Sequence, residues 1–259
     1  MRYALIADIH SNIEALRAVL DDVSGDSIID FLCCGDVVGY YANPNECVEA
    51  LSDLNIVAVA GNHDLAVAGL KLDLSSFWSI AARAVKWSRR RVSEQNKNWL
   101  RALPERAVVD DLILFHGCLH QELNAEDLHL YKYEDVRASL FVLEGMAGLS
   151  IGFFGHTHKQ VACWHQSNNL VISQEKSLKL KKGRRYLINP GSVGRSRDDP
   201  DYASYAVYDS DRGTVEFRRV IYDRKSCLEN ADKSGLLTEP LWSKVKRKMK
   251  QIDVMLGNI

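Results

Sequence analysis

The segment RYALIAD is a short apolar run that stops at a carboxylate, and NIEALRAVLDDV behind it places Ile13, Leu16, Val19, Leu20 and Val23 at helical intervals. The same unit of strand, loop and helix recurs. IIDFLCCGD precedes NPNECVEALSDL, where Asn43 can cap and Pro44 opens the first turn, and NIVAVAGNHD begins a third unit. Strands alternating with amphipathic helices are buried together by laying the helices against a sheet with parallel strands, which predicts an α/β fold.

Beyond the third unit the pattern changes. Residues 65 to 103 read as a helical insertion, with FWSIAARAVKWSRRRV and SEQNKNWLRAL carrying Phe77, Ile80, Ala84, Trp87 and Val92 on or near one face. The later segments AVVDDLILFHG, SIGFFGHTH, VACWH, NLVISQ, RYLINPGS, ASYAVYDS and TVEFRRVIYD are short, apolar and turn-bounded, which suits a second, mixed or antiparallel set of strands. With 46% hydrophobic residues in a chain of 259, both sets have the material to pack as one sandwich. KSLKLKKGRR reads as a solvated hairpin. Residues 238 to 256 align Leu241, Val245, Met249, Ile252 and Leu256 beside a crowd of lysines, as in a docked terminal helix with a basic outer face. The domain boundary is accordingly drawn at residue 222, with 223–259 a helical extension docked on the same domain.

Composition narrows the function. Thirty-three basic against 34 acidic residues give a net charge of −1, so no global field favours nucleic acid or an anionic membrane as the main partner. The six cysteines form no CxxC pair, which argues against a zinc ribbon or a thioredoxin-like motif and for reduced core thiols. MRYALIADIHSN lacks the apolar run of a signal peptide and no later run reaches membrane-span length, so a cytoplasmic protein is expected.

The most informative residues are those at which the apolar runs stop: Asp8 and His10; Asp36; Asn62, His63 and Asp64; His116; His156 and His158. In open α/β sheets ligands bind at the carboxyl ends of strands, so polar endings on successive strands converge on one rim. Carboxylates, imidazoles and one amide, with no cysteine, suit divalent Mn, Fe, Zn, Ni or Co. The one-residue gaps of Asp8-x-His10 and His156-x-His158 predict two side chains leaving a nearly extended backbone in similar directions. His120, His129 and His165 fall outside these blocks and read as structural.

In this order, DIH, GDVVG, GNHD, HG and GHTH resemble the calcineurin-like metallophosphoesterases, and INPGSVGR followed by YAVYD resembles the ending of bacterial members. The resemblance implies a two-sheet β-sandwich flanked by helices and hydrolysis of a phosphate ester by a hydroxide activated between two divalent metal ions. Carried over position by position, Asp8, His10 and His158 would hold one ion, Asn62, His116 and His156 the other, and Asp36 both. His63 would face the leaving group as a proton donor, with Asp64 orienting its ring, and Asn62 and His63 would also contact substrate.

One departure matters. Protein serine/threonine phosphatases of the superfamily carry GDxVDRG, whose arginine binds the substrate phosphate; this chain has Gly35-Asp36-Val37-Val38-Gly39-Tyr40-Tyr41. A monoester dianion loses that partner, so phosphodiesters or small organophosphates are expected in preference to phosphoproteins. Arg195 is the candidate replacement, Tyr40 and Tyr41 are candidates for the mouth, and segment 65–103 for a lid. Alternatives are a dinucleoside polyphosphate hydrolase, a phosphoprotein phosphatase, an inert scaffold on the same fold, and nucleic-acid binding through the basic tail.

Overall fold

The computed structural model describes residues 1–28, 30–54, 56–71, 73–121, 132–167 and 169–236. His129 and the basic stripe of 238–256 therefore lie outside the described residues. The strands are β1 (Arg2–Ile6), β2 (Asp30–Cys33), β3 (Val57–Ala58), β4 (Arg106–Val109), β5 (Leu112–Phe115), β6 (Ile151–Phe153), β7 (Gln160–Gln166), β8 (Asn169–Ser173), β9 (Ser177–Lys179), β10 (Tyr186–Pro190), β11 (Tyr202–Asp209) and β12 (Thr214–Ile221). The helices are α1 (Ile13–Val23), α2 (Pro44–Asp53), α3 (Asn62–Ala68), α4 (Ser79–Arg91), α5 (Glu94–Ala102), α6 (Tyr133–Gly145) and α7 (Arg224–Lys233).

Among the described residues these strands form two mixed sheets, ordered β3-β2-β1-β11-β12-β9 and β4-β5-β6-β10-β7-β8. β1 illustrates how the sequence dictates the layers. Tyr3 and Leu5 face the second sheet and join Leu114, Phe153, Tyr186 and Phe217 in the core between the sheets. Ala4 and Ile6 face the other way, onto Leu16 and Val19 of α1 and Leu51 of α2. Both faces are covered, so the strand is apolar throughout. On the far side, Ile113, Cys163 and Leu187 pack against Leu140 and Leu143 of α6. The result is the expected α/β sandwich with helices on both outer faces.

Six of the later strands, β4 to β8 and β10, make the second sheet as expected, but the other three do not join it. β11 pairs antiparallel with β1, β12 follows it, and β9 takes the edge, so the first sheet joins the two ends of the described chain. Period-two alternation marks an inward face but not which sheet a strand completes, and the sequence pattern is silent on that choice. For the same reason KSLKLKKGRR is not a hairpin: β9 lies in one sheet and the next strand, β10, in the other.

The helical stretch packs firmly on α3. The carbonyls of Ala66 and Ala68, near the end of α3, accept from Arg89 Nε at 2.6 Å and Arg101 Nε at 3.0 Å, so α4 and α5 supply the basic partners that a helix C-terminus needs. Asn43 stands at the N-cap of α2, but no backbone amide bonds its side chain, which donates to Glu46 Oε1 at 3.4 Å. Asn12 caps α1, accepting from the Ala15 amide at 3.0 Å. All six cysteines are buried and free.

Candidate functional site

The polar strand ends meet on one rim. Asp8, His10, Asp36, His63, His116 and His158 are all buried, Asn62 nearly so, and His156 is half-buried. The structure brings together Asp8 with His10 and His158, and Asp36 with His116 and His156, each trio having its nearest donor atoms within 4.8 Å of one another. Asn62 joins the second trio through its Oδ1, 3.1 Å from His116 Nε2. Asp36 spans both: its Oδ2 lies 3.7 Å from His10 Nε2 and 3.3 Å from His116 Nε2.

The backbone that achieves this is not extended. Asp8, His10, Asp36, His156 and His158 all have positive φ, between 53° and 66°, a left-handed conformation that costs a non-glycine residue about 1–3 kcal/mol. The expectation that the paired residues leave an extended strand in similar directions is therefore corrected. A left-handed residue at the strand end turns the chain back over the rim, and two such residues on each loop aim both side chains at one point. Close backbone approach is also required: a Cβ on Gly61 would lie 2.1 Å from Asp36 Oδ1, and one on Gly39, at φ +120°, 2.3 Å from His63 Nδ1.

Ring orientation is set by backbone carbonyls. His10 Nδ1 faces Val38 O at 3.3 Å, His116 Nδ1 faces Cys34 O at 2.8 Å, and His158 Nδ1 faces Arg195 O at 2.8 Å. A carbonyl only accepts, so each Nδ1 carries a proton and each Nε2 is the nitrogen turned to the centre. Those nitrogens converge: His10 Nε2 is 3.0 Å from His158 Nε2, and His116 Nε2 is 3.1 Å from His156 Nδ1. Asp8 Oδ1 accepts from the His156 amide at 3.0 Å, while Asp8 Oδ2 is buried without any hydrogen-bond partner. Asp8 Oδ1 also lies 3.6 Å from His158 Nε2 and 4.0 Å from His10 Nε2, and a buried carboxylate beside imidazole nitrogens, with its second oxygen unpaired, is unfavourable by itself and fits a divalent cation.

Electrostatics follow from burial and proximity. Burial pushes the Asp8 carboxyl up to about 7. It lowers His10 and His158 well below the usual imidazole range, helped by His63 and His158 around His10 and by Arg197 beside His158. Burial would also raise Asp36, but the charges of His116 and His63 hold it below the ordinary carboxylate value. His116 shows the reciprocal effect: burial opposes its imidazolium, yet Asp36 lifts it to about 9.

Asp64 does not do what the sequence reading assigned to it. Its two oxygens accept from the Val38 amide at 3.1 Å and the Gly61 amide at 2.9 Å, while His63 Nδ1 is buried without a hydrogen-bond partner. Asp64 thus ties the Asp36 loop to the start of α3 and does not orient His63. Asp64→Ala leaves two buried amides unpaired, so it is expected to lower unfolding free energy by about 1–3 kcal/mol per lost acceptor, measurable by urea denaturation. An unchanged midpoint would show that the loops hold without it.

Arg195 stands at the mouth, its guanidinium carbon 3.7 Å from the centroid of Tyr40, whose ring is 4.7 Å from that of His10 and 5.0 Å from that of His63. The two tyrosines separate: Tyr40 lines the site, whereas Tyr41 is buried with Cys227 and Ala231 of α7. Sequence reasoning missed the bracing loop. Ser192 Oγ donates to Asp8 O at 2.7 Å, the Gly194 amide donates to the same oxygen at 3.0 Å, and Asn189 Nδ2 donates to Gly155 O at 2.7 Å and Thr157 Oγ1 at 2.9 Å. These residues lie in INPGSVG, where the strand-pattern signal was the polar, glycine-containing end of an apolar strand. His120 and His165 lie elsewhere, on Ser139 Oγ and Glu144 Oε1 respectively, each at 2.9 Å or less.

Residues 1–213 match the calcineurin-like phosphoesterase superfamily domain. The chain is 37% identical over 241 residues to an uncharacterized protein of Methanocaldococcus jannaschii, covering 92% of this chain and 94% of that one. Among solved structures, a metallophosphoesterase from Sphaerobacter thermophilus is similar at 31% identity and a TM-score of 0.77, over 93% of this chain and 96% of the other. A hypothetical protein from Pyrococcus horikoshii shares the fold at 19% identity and a TM-score of 0.74, over 92% and 95% of the two chains.

Proposed function

The chain belongs to the calcineurin-like phosphoesterase superfamily, and from that premise we propose that it hydrolyses phosphate esters at a two-cation centre, with phosphodiesters or other small organophosphates preferred. Asp8, His10 and His158 would hold one divalent ion, Asn62, His116 and His156 the other, and Asp36 both. The observation that carries the reading is the position of Asp36 Oδ2, within 3.7 Å of His10 on one side and 3.3 Å of His116 on the other. Divalent ions held by these residues would supply Lewis acidity to phosphoryl oxygens and lower the pKa of bound water toward neutrality.

The remaining roles fall to the chain's own groups. Arg195, half-buried at the mouth, supplies a guanidinium to a nonbridging phosphate oxygen, replacing the arginine that the GDVVG segment lacks. His63, with its ring 4.8 Å from that of His10, is the proton donor to the leaving oxygen. Burial lowers it to about 4, so it is neutral at rest, and an anionic ester beside it favours the protonated ring. His63→Ala is expected to lower kcat about 10²–10⁴-fold while bound metal, measured by elemental analysis, stays level. Equal loss of both would make His63 a ligand.

Cation uptake has a predicted pH dependence. Asp8, raised to about 7, and His116, raised to about 9, hold protons at pH 6 that a cation must displace; His10 and His158 are already neutral. Affinity for manganese is therefore expected to climb between pH 6 and 9, with about two protons released at pH 6 when both ions load, one from each ligand set. Calorimetry in buffers of different ionisation enthalpy measures both. A flat affinity without proton release would remove Asp8 and His116 from the ligand set.

The substrate class is tested by rates on bis-p-nitrophenyl phosphate, p-nitrophenyl phosphate, diadenosine tetraphosphate and a phosphopeptide, with manganese added. The diester is expected to be fastest. A faster phosphopeptide or dinucleoside polyphosphate would establish that alternative instead, and no hydrolysis of any, with no metal bound, would support a scaffold.

A further inference from the structure

We propose that Phe77 and Trp78, in the turn before α4, form a base-stacking subsite, so that the ester group carried by the bound phosphate is a nucleoside. The inference rests on reading the neighbouring centre as a phosphoesterase.

A partly exposed tryptophan alone carries no weight. This one is tied to the centre from both sides. The Phe77 ring meets the His63 ring edge-on at 5.1 Å, which places the turn beside the candidate proton donor. Trp78 follows it directly, with 45% of its surface exposed, and the Arg197 guanidinium carbon lies 5.6 Å from the centroid of its ring. Arg197 in turn donates to Thr157 O at 3.4 Å, between His156 and His158. The links therefore run from His63 to the Phe77 ring, along the backbone to Trp78, and from the indole through Arg197 back to Thr157 between His156 and His158, which places Trp78 beside the rim of the site.

The chemistry of that rim is specific. Arg195, on Tyr40, offers charge to a phosphate, while Phe77 and Trp78 offer π-surface backed by cations, with Lys71 Nζ 5.8 Å from the Phe77 centroid. Aromatic faces next to guanidinium groups hold single nucleobases by stacking and cation–π attraction, with little dependence on which base is present. A sugar phosphate without a base satisfies only the phosphate half.

The test compares adenosine 5′-monophosphate with ribose 5-phosphate, which differ by the base, titrated calorimetrically into the full chain with and without manganese. The nucleotide is expected to bind at least about tenfold more tightly, the size of one base–aromatic stack. Trp78→Ala should bring the affinity ratio to within about twofold of unity, and Trp78→Phe, which keeps a π-face, should preserve most of the preference. Equal affinities in the unsubstituted protein, or a ratio untouched by Trp78→Ala, would overturn the subsite. Failure of the phosphoesterase reading looks different: the base preference would stand while bis-p-nitrophenyl phosphate is not hydrolysed.

Discussion

Asp36→Asn is expected to lower kcat/KM on a phosphodiester by more than about 100-fold. Groups that only orient a metal ligand already cost 10–100-fold when removed, and Asp36 faces both clusters directly. The substitution is nearly isosteric and leaves one oxygen, which can still accept from the His63 amide, now at 2.8 Å from Oδ1. What it removes is the negative charge that holds His116 protonated in the absence of metal. The His116 pKa should therefore fall, a change that NMR titration of the imidazole reads independently of activity. Near-normal hydrolysis by Asp36→Asn would end the two-cation reading, because no other carboxylate among the described residues is placed between the two trios.

The largest stability effect is expected at Phe153, which is fully buried in the layer between the sheets, its ring 6.1 Å from that of Tyr208. Phe153→Ala opens a cavity that strands fixed by pairing on both sides cannot close, and such losses run to about 3–5 kcal/mol. Denaturation midpoints in urea measure it. A loss under about 1 kcal/mol would mean that the sheets slide together over the gap. The same substitution is expected to weaken metal binding, since Gly155 and His156 follow directly from β6.

Much of the site was legible because burying a charge is costly. Apolar runs that halt at Asp8, Asp36 or His116 mark strand ends, and strand ends in such folds share a rim. What joins them was not legible. Left-handed φ at Asp8 and His158 is uncommon even for aspartate and histidine, the non-glycine types that adopt it most often, so residue type alone does not announce it. The carbonyls that fix the rings, at Val38, Cys34 and Arg195, belong to main chain that any residue could supply. Asp64 was misread for a related reason: proximity in sequence to His63 suggested a partnership, whereas two backbone amides compete more effectively for its carboxylate. Sheet membership was hidden as well, since β11 carries the same alternation whether it completes one sheet or the other.

The union of β1 with β11 has a consequence for synthesis. β1 leaves the ribosome early with Asp8 and His10 close behind, yet its second neighbour is about two hundred residues downstream, and Ser192 and Gly194, which grip the Asp8 carbonyl, are hardly nearer. Until those segments emerge, the first strand has an open edge and its acidic loop lacks its brace. The Asp8 loop is therefore braced only after residues near position 200 have been made, later than the segments that carry Asp36, His116 and His156.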